Sequence, residues 1–193
     1  MIDLNVGDNK LKTVEATYFV NMTSLITLKL FNCSIESIKS SAFVELNQLE
    51  SLFLTRNKLT RISNRALTGL VNLRSLYLAR NSIAVVEADA FAETTNVEFI
   101  DFAYNNLTHL SGVNLAPLEK LEILDLSNNQ LVTIGIRDLS PLRNLKFISL
   151  HNNAWSCTIQ SLCFLTKPLV ELHQAYEKLW LVEHDALCDR YLY

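Results

Sequence analysis

Apolar and polar positions alternate in a pattern that returns every 24 residues along most of the chain. An eleven-residue stretch with apolar residues at its first, fourth, sixth and eleventh positions begins at residues 1, 25, 49, 73, 97, 121 and 145. The ninth position of this stretch is asparagine in six of the seven copies and cysteine in the other. Because the copies keep one period without an insertion, they indicate an internal repeat and a modular fold.

Each copy predicts a short strand followed by a segment that packs on the same core. Alternation such as Leu52-Phe53-Leu54 places every second side chain inward, as a strand does. Further apolar residues recur at the fourteenth and nineteenth positions, and usually at the twenty-second. One such unit cannot bury its own apolar face, so the units are predicted to stack side by side as a solenoid.

The ninth position explains how a chain with only four glycines and three prolines turns so often. A side-chain amide carries both donors and acceptors, so a stacked column of asparagines can satisfy backbone groups where each strand ends. Three interpretations compete for Cys33, the exception in this column: a reactive thiol, half of a disulfide, or a buried substitute for asparagine. Since cysteine is a compact, weak donor, we favour the buried substitute.

These repeats resemble the leucine-rich repeat family, and the resemblance runs up to about Trp155. It implies an α/β solenoid, or horseshoe, with a parallel sheet on the concave side and short helical or irregular segments on the convex side. It also implies that cysteine is tolerated at the ninth position. We therefore expect seven repeat units over residues 1–154 and a C-terminal capping region over residues 155–193.

The sequence after Asn153 resembles the cysteine-bearing C-terminal flank of extracellular leucine-rich repeat proteins, in which a tryptophan is followed closely by a cysteine. Here Trp155 precedes Cys157, although the usual proline before the tryptophan and the usual Cys-x-Cys are absent. The resemblance implies a lid on helical segments, built from apolar residues that include Leu181. It also favours a bridge from Cys188 to Cys157, with Cys163 as the alternative partner. Three reduced cysteines in a cytosolic protein are the competing interpretation.

Three N-glycosylation patterns, at Asn21, Asn32 and Asn106, join the cap in favouring a secreted protein. The first ten residues carry charges and form no signal peptide, which fits either a cytosolic protein or a processed form of a secreted one. Because the repeats begin at Met1 without an N-terminal cap, the native protein is expected to extend upstream. No apolar run approaches the length of about 20 residues that crosses a bilayer. A formal net charge of -3 argues against nucleic-acid binding, which usually needs a basic surface.

The third, fifth, seventh and eighth positions of each unit are predicted to face outward from the sheet or its rim. Among these residues, an aromatic diagonal and the polar and aromatic residues beside it form the candidate binding set: Phe31, Phe53, Tyr77, Phe99, Arg56, Arg80, Tyr104, Asp101 and Asp125. Aromatic residues and arginine are enriched at the centres of protein interfaces. The competing interpretation is that exposed aromatics simply suit a pleated strand and pack on each other.

Two adjacent carboxylates, Asp101 and Asp125, could form a retaining glycosidase pair. Against that, they belong to an ordinary form of the repeat, and an open concave sheet offers no closed pocket. The histidines show no metal-ligand spacing, and we find no phosphate loop, nucleophile elbow or zinc cluster. We therefore expect no enzyme, no cofactor and no metal site.

The sequence predicts a non-enzymatic extracellular module that binds a protein or a glycan through its concave sheet. The 24-residue pitch, the acidic balance and the shortened cap are similar to insect leucine-rich immune proteins. That resemblance implies innate-immune partners, such as a related repeat chain or a complement-like protein. The alternative is the ectodomain of a cell-surface adhesion or signalling receptor, followed by an intracellular scaffold.

Overall fold

The computed structural model describes residues 2–134, 136–155 and 180–182. Each of the seven repeats contributes one three-residue strand to a single parallel sheet. With all strands numbered in chain order, these are β1 (Asp3–Asn5), β3 (Thr27–Lys29), β5 (Ser51–Phe53), β7 (Ser75–Tyr77), β9 (Phe99–Asp101), β10 (Ile123–Asp125) and β11 (Phe147–Ser149). They lie in that order across the sheet, so neighbours in sequence are also neighbours in space.

The register of the sheet reproduces the repeat period, because each residue lies opposite the residue 24 positions later. Phe53 pairs with Tyr77, Tyr77 with Asp101, and Asp101 with Asp125. The fifth position of each unit therefore forms one continuous column across the strands. The predicted parallel solenoid sheet is confirmed.

An eighth strand, β12 (Trp180–Val182), extends this sheet by pairing in parallel with β11. The prediction that Leu181 lies on a helical segment of the cap was wrong, because its backbone is extended and hydrogen-bonds to the last repeat. The rest of the predicted cap, including Cys157, Cys163 and Cys188, falls outside the described residues.

The second half of each repeat runs mostly through turns on the side away from this sheet. It holds two small parallel pairs, β2 (Thr13–Val14) with β4 (Ser37–Ile38) and β6 (Arg61–Ile62) with β8 (Val85–Val86). One short helix, α1 (Ile136–Leu139), lies in the sixth unit. The prediction of short helical or irregular segments on this side is confirmed.

The core lies between the sheet and these turns. The fourth-position leucines Leu28, Leu52 and Leu76 are fully buried, and so are the large rings of Phe43 and Phe91. Complete burial of such a side chain contributes about 1.5–3 kcal/mol. Stacking of identical units therefore supplies the stability that one unit lacks.

The asparagines at the ninth position satisfy backbone groups at the strand ends, as their spacing predicts. Buried Asn105 donates from Nδ2 to the carbonyl oxygens of Phe102 and Leu78, each at 3.0 Å, and its Oδ1 accepts from the backbone N–H of Ile83 at 2.9 Å. One side chain thus ties its own strand end to the preceding repeat. The same bonds recur at Asn57, Asn81, Asn129 and Asn153.

Cys33 occupies the equivalent slot, fully buried and unpaired, so the prediction of an inward substitute is confirmed. Its Sγ donates to the carbonyl oxygen of Val6 at 3.1 Å, the bond that an asparagine would make from Nδ2. A thiol is only a weak acceptor and cannot replace Oδ1. The N–H of Leu11 therefore donates to the backbone carbonyl of Cys33 at 2.7 Å.

This exchange changes the backbone around Cys33. Between the second and third repeats the corresponding bond runs the other way. There the backbone N–H of Lys58, in the later repeat, donates to the carbonyl of Ile35, in the earlier one. Turning the carbonyl of Cys33 toward Leu11 coincides with a left-handed conformation at Ser34, whose φ is 60°. The substitution is accommodated by a rotated peptide rather than by an unsatisfied buried N–H.

Candidate functional site

A stack of aromatic rings crosses the middle of the concave sheet. Phe53 and Tyr77 lie opposite each other on β5 and β7, with ring centroids 4.3 Å apart and planes inclined by 4°. Phe99 continues the stack at 5.0 Å from Tyr77. Each such pair contributes roughly 0.5–1.5 kcal/mol beyond burial. Mutual packing therefore accounts for part of this stripe, yet all three rings remain partly exposed.

The apolar stripe extends further than the sequence prediction placed it. Ile123 on β10 lies opposite Phe99, and Phe147 on β11 lies opposite Ile123. These two side chains are 37% and 39% exposed, respectively. Reading the third position of each repeat downward would have found them, because that column changes from serine to apolar residues at Phe99. The exposed apolar surface thus crosses five neighbouring strands.

A groove of about 480 Å³ runs beside the first part of this stripe. All the predicted binding residues border it except Tyr77 and Phe99, which lie in the ring stack; its lining comprises Phe31, Phe53, Thr55, Arg56, Ala79, Arg80, Asp101, Ala103, Tyr104 and Asp125. The residues chosen from the sequence are therefore brought together at one place.

Phe31 enters this groove from the turn after β3 rather than from the sheet. Its ring covers Gly7, where an added Cβ would lie only 2.5 Å from the ring. A side chain at residue 7 would push the ring away. The glycine one repeat earlier thus fixes one end of the groove.

The groove rim is built from residues in a left-handed backbone conformation. The eighth position of every repeat has a φ between 52° and 60°, and the residues are Asp8, Asn32, Arg56, Arg80, Tyr104, Asn128 and Asn152. Asparagine and aspartate tolerate this conformation, whereas for other residues with a Cβ it costs about 1–2 kcal/mol. The three costly residues are consecutive, and all three border the groove.

The basic side of the groove consists of the exposed side chains of Arg56 and Arg80. The guanidinium carbon of Arg80 lies 4.3 Å from the ring centroid of Tyr104. A cation–π contact at an exposed site is worth roughly 0.5–1 kcal/mol, and it holds the Arg80 side chain beside the groove.

The acidic side consists of Asp101 and Asp125, which are opposite neighbours on β9 and β10. Each Oδ1 accepts the backbone N–H two residues later, from Ala103 and Ser127, at 2.9 Å. Burial raises the pKa of Asp101 above its ordinary value, and the negative charge of Asp125 adds to this, while the bond from Ala103 opposes it. Two partly buried carboxylates thus face the same open space.

The predicted glycosylation residues Asn21, Asn32 and Asn106 are all exposed. Asn32 lies on the groove rim one repeat before Arg56, and its Nδ2 donates to Oδ1 of Asp8 at 2.8 Å. A glycan at Asn32 would replace this bond and stand at the Phe31 end of the groove.

The sequence matches the leucine rich repeat family over residues 2–59, 28–83 and 71–131. The chain belongs to the leucine-rich repeat (LRR) family. Its sheet of stacked strands, its asparagine column and its 24-residue register are the structural form of that membership.

Two solved structures are similar to this LRR chain. One is a complex of TLR13 with ssRNA13, at 27% identity over 77% of this chain and with a TM-score of 0.71. The other is an LRR protein of Leptospira interrogans, at 22% identity over 95% of this chain and with a TM-score of 0.74. The chain spans 21% and 43% of those two proteins, respectively.

No curated protein matches the sequence. Within the described residues, no helix has the length and apolar character needed to cross a membrane.

Proposed function

We propose that this LRR chain is a non-catalytic recognition module that binds another protein through its concave groove. The observation that carries the proposal is the run of three bulky residues, Arg56, Arg80 and Tyr104, in left-handed conformations at consecutive positions of the rim. Strained residues of this kind tend to cluster where a ligand is held.

The same chain uses asparagine or aspartate at the other four rim positions. Arginine or tyrosine there costs about 1–2 kcal/mol per residue. Their own side-chain contacts offset little of that cost. A contribution to binding is the simplest reason to retain them.

The exposed apolar stripe supports the same surface. Ile123 and Phe147 are more than a third exposed and continue the stack of Phe53, Tyr77 and Phe99. Contiguous apolar exposure on a soluble protein usually marks an interaction site. Arginine and aromatic residues beside it are the residue types that dominate interface energetics.

The partner class and the setting rest on resemblance. The cysteine-bearing flank and the three glycosylation patterns support an extracellular protein, and the similarity to insect leucine-rich immune proteins supports an innate-immune role. A related LRR chain or a complement-like protein is then the expected partner, with a glycan as the second ligand class. The similar TLR13 structure also supports immunity, although it contains RNA.

The test is site-specific photo-crosslinking in native extracellular fluid. A photoreactive phenylalanine derivative in place of Tyr77 should capture a protein partner, whereas the same group in place of Tyr18, exposed in the first repeat away from the sheet, should not. Capture only from position 18, or from neither position, would contradict a concave protein-binding site.

The second candidate is the ectodomain of a cell-surface receptor, which would use the same groove. Surface labelling of intact cells separates the two. The secreted form predicts recovery of the protein from the medium, and the receptor form predicts recovery with the membranes.

A further inference from the structure

The distribution of charge in the groove limits which class of partner can bind there. We infer that the groove receives a protein segment that presents an acidic, a basic and an apolar side chain together. This inference rests on the proposed function, since it specifies what the same concave groove recognises.

The charges are separated in order along the stack of repeats. Arg56 and Arg80 come from the third and fourth units, whereas Asp101 and Asp125 come from the fifth and sixth. Neighbouring parallel strands lie about 4.8 Å apart, so the two charge pairs are offset by about 10 Å along the stack. A ligand that lies along the stack therefore meets positive charge first and negative charge next.

These charges are not neutralised within the described part of the chain. Asp3, which faces the same side of the sheet, forms a salt bridge with Lys29 at 2.8 Å. By contrast, none of the four groove charges forms a salt bridge with another described residue. Arg80 contacts the Tyr104 ring, and each aspartate accepts one backbone N–H through Oδ1. Their capacity for charged hydrogen bonds is available to a partner.

The aromatic surface adjoins both pairs of charges. Phe53 borders the groove in the same repeat as Arg56, and its stacked neighbour Tyr77, in the repeat of Arg80, is directly opposite Asp101 on the next strand. A ligand that contacts both pairs of charges would therefore also lie against aromatic surface. This geometry favours an amphipathic protein segment over a uniformly charged polymer.

Single-stranded RNA is the principal competitor, because its bases could stack on the rings and its phosphates could contact the arginines. Its remaining phosphates would then run past Asp101 and Asp125, where like charges repel. A formal net charge of -3 on the chain also opposes binding of a polyanion.

The experiment is selection of random twelve-residue peptides, displayed on phage, against the purified chain. Wild-type protein should enrich peptides that combine an acidic residue, a basic residue and an aromatic or aliphatic residue. On the Asp101→Asn/Asp125→Asn variant the enrichment of basic residues should disappear while that of acidic residues persists. The Arg56→Gln/Arg80→Gln variant should show the reverse.

Binding of one enriched peptide is then measured by fluorescence anisotropy. Each double variant should weaken binding at least tenfold, and a single-stranded RNA of 20 nucleotides should not compete. Enriched peptides without charge preference, or a double variant that binds the peptide as tightly as the wild type, would overturn the charge inference. Single-stranded RNA that binds the wild-type chain, and loses that binding in the Arg56→Gln/Arg80→Gln variant, would overturn it in favour of a nucleic acid.

Failure of the proposed function would look different. Peptides whose binding is unaffected by Tyr77→Ala as well as by both double variants would place recognition outside the groove. Circular dichroism of every variant confirms that the repeat fold is retained, so that a loss of binding reports on contacts.

Discussion

Replacing Arg56 by asparagine should make the protein more stable while weakening its interaction surface. Arg56 has a φ of 59° and an exposed side chain. Arginine in this conformation costs about 1–2 kcal/mol, and asparagine removes a good part of that cost. Since asparagine occupies the equivalent positions at residues 32, 128 and 152, the backbone already accepts it there. We expect Arg56→Asn to raise the free energy of unfolding by about 0.5–1 kcal/mol.

The measurement is urea denaturation followed by circular dichroism. A gain of 1 kcal/mol should move the midpoint upward without changing the m-value and should raise Tm by about 2–4 °C. The matched control is Arg143→Asn, an exposed arginine outside the left-handed set, for which a change within about 0.5 kcal/mol is expected.

The combined variant Arg56→Asn/Arg80→Asn/Tyr104→Asn sharpens the test. It loses the contact between Arg80 and Tyr104, worth roughly 0.5–1 kcal/mol, and should still gain about 1–2 kcal/mol overall. If the single and combined variants were no more stable than the Arg143→Asn control, the rim would carry no conformational cost. The left-handed rim residues would then give no support to a binding role for the groove.

Three further outcomes follow from the repeat structure. Asn105→Ala should destabilise the protein by about 1–3 kcal/mol, because it leaves the buried N–H of Ile83 without an acceptor, while the carbonyls of Leu78 and Phe102 keep their bonds from Asn81 and Asn129. Asn106→Ala, at the exposed neighbour, should change the free energy of unfolding by less than about 0.5 kcal/mol, and equal effects would refute the asparagine column. Asp101→Asn should stabilise the protein at pH 7, because the pKa of Asp101 is raised in the folded state and the wild type therefore loses stability as the pH rises through that pKa; the advantage should shrink as the pH falls toward 3.8, and an advantage independent of pH would contradict this explanation. Cys33→Asn should raise the free energy of unfolding by about 1 kcal/mol by restoring a full amide, and a loss of stability would show that the rotated peptide is preferred.

The repeat pattern was enough to predict the sheet, its register and the inward column, because identical units must bury identical faces. Cys33 illustrates this well, since its column alone placed it in the core. The rotated peptide beside it was not predictable, because it depends on which acceptor the N–H of Leu11 can reach. Local hydrogen-bond exchange of this kind leaves no periodic signal.

The residues of the candidate site were predicted from the sequence, but the conformational cost of three of them was not. Column reading brought Arg56, Arg80 and Tyr104 to one surface, but their left-handed conformation became visible only in the backbone angles. The prediction that Leu181 lies on a helical segment was wrong for a related reason. Beyond the last repeat no period constrains the choice between helix and strand.

One affinity comparison shows whether the concave groove is the binding surface. The partner captured at position 77 should bind Tyr77→Ala/Arg80→Glu at least 100-fold more weakly than wild type, since each central residue of this type typically contributes about 2 kcal/mol or more. Val44→Ser, at an exposed apolar residue away from the sheet, should bind like the wild type. Unchanged affinity of the folded double variant would contradict the account, and the loss of binding confined to that variant is the result it predicts.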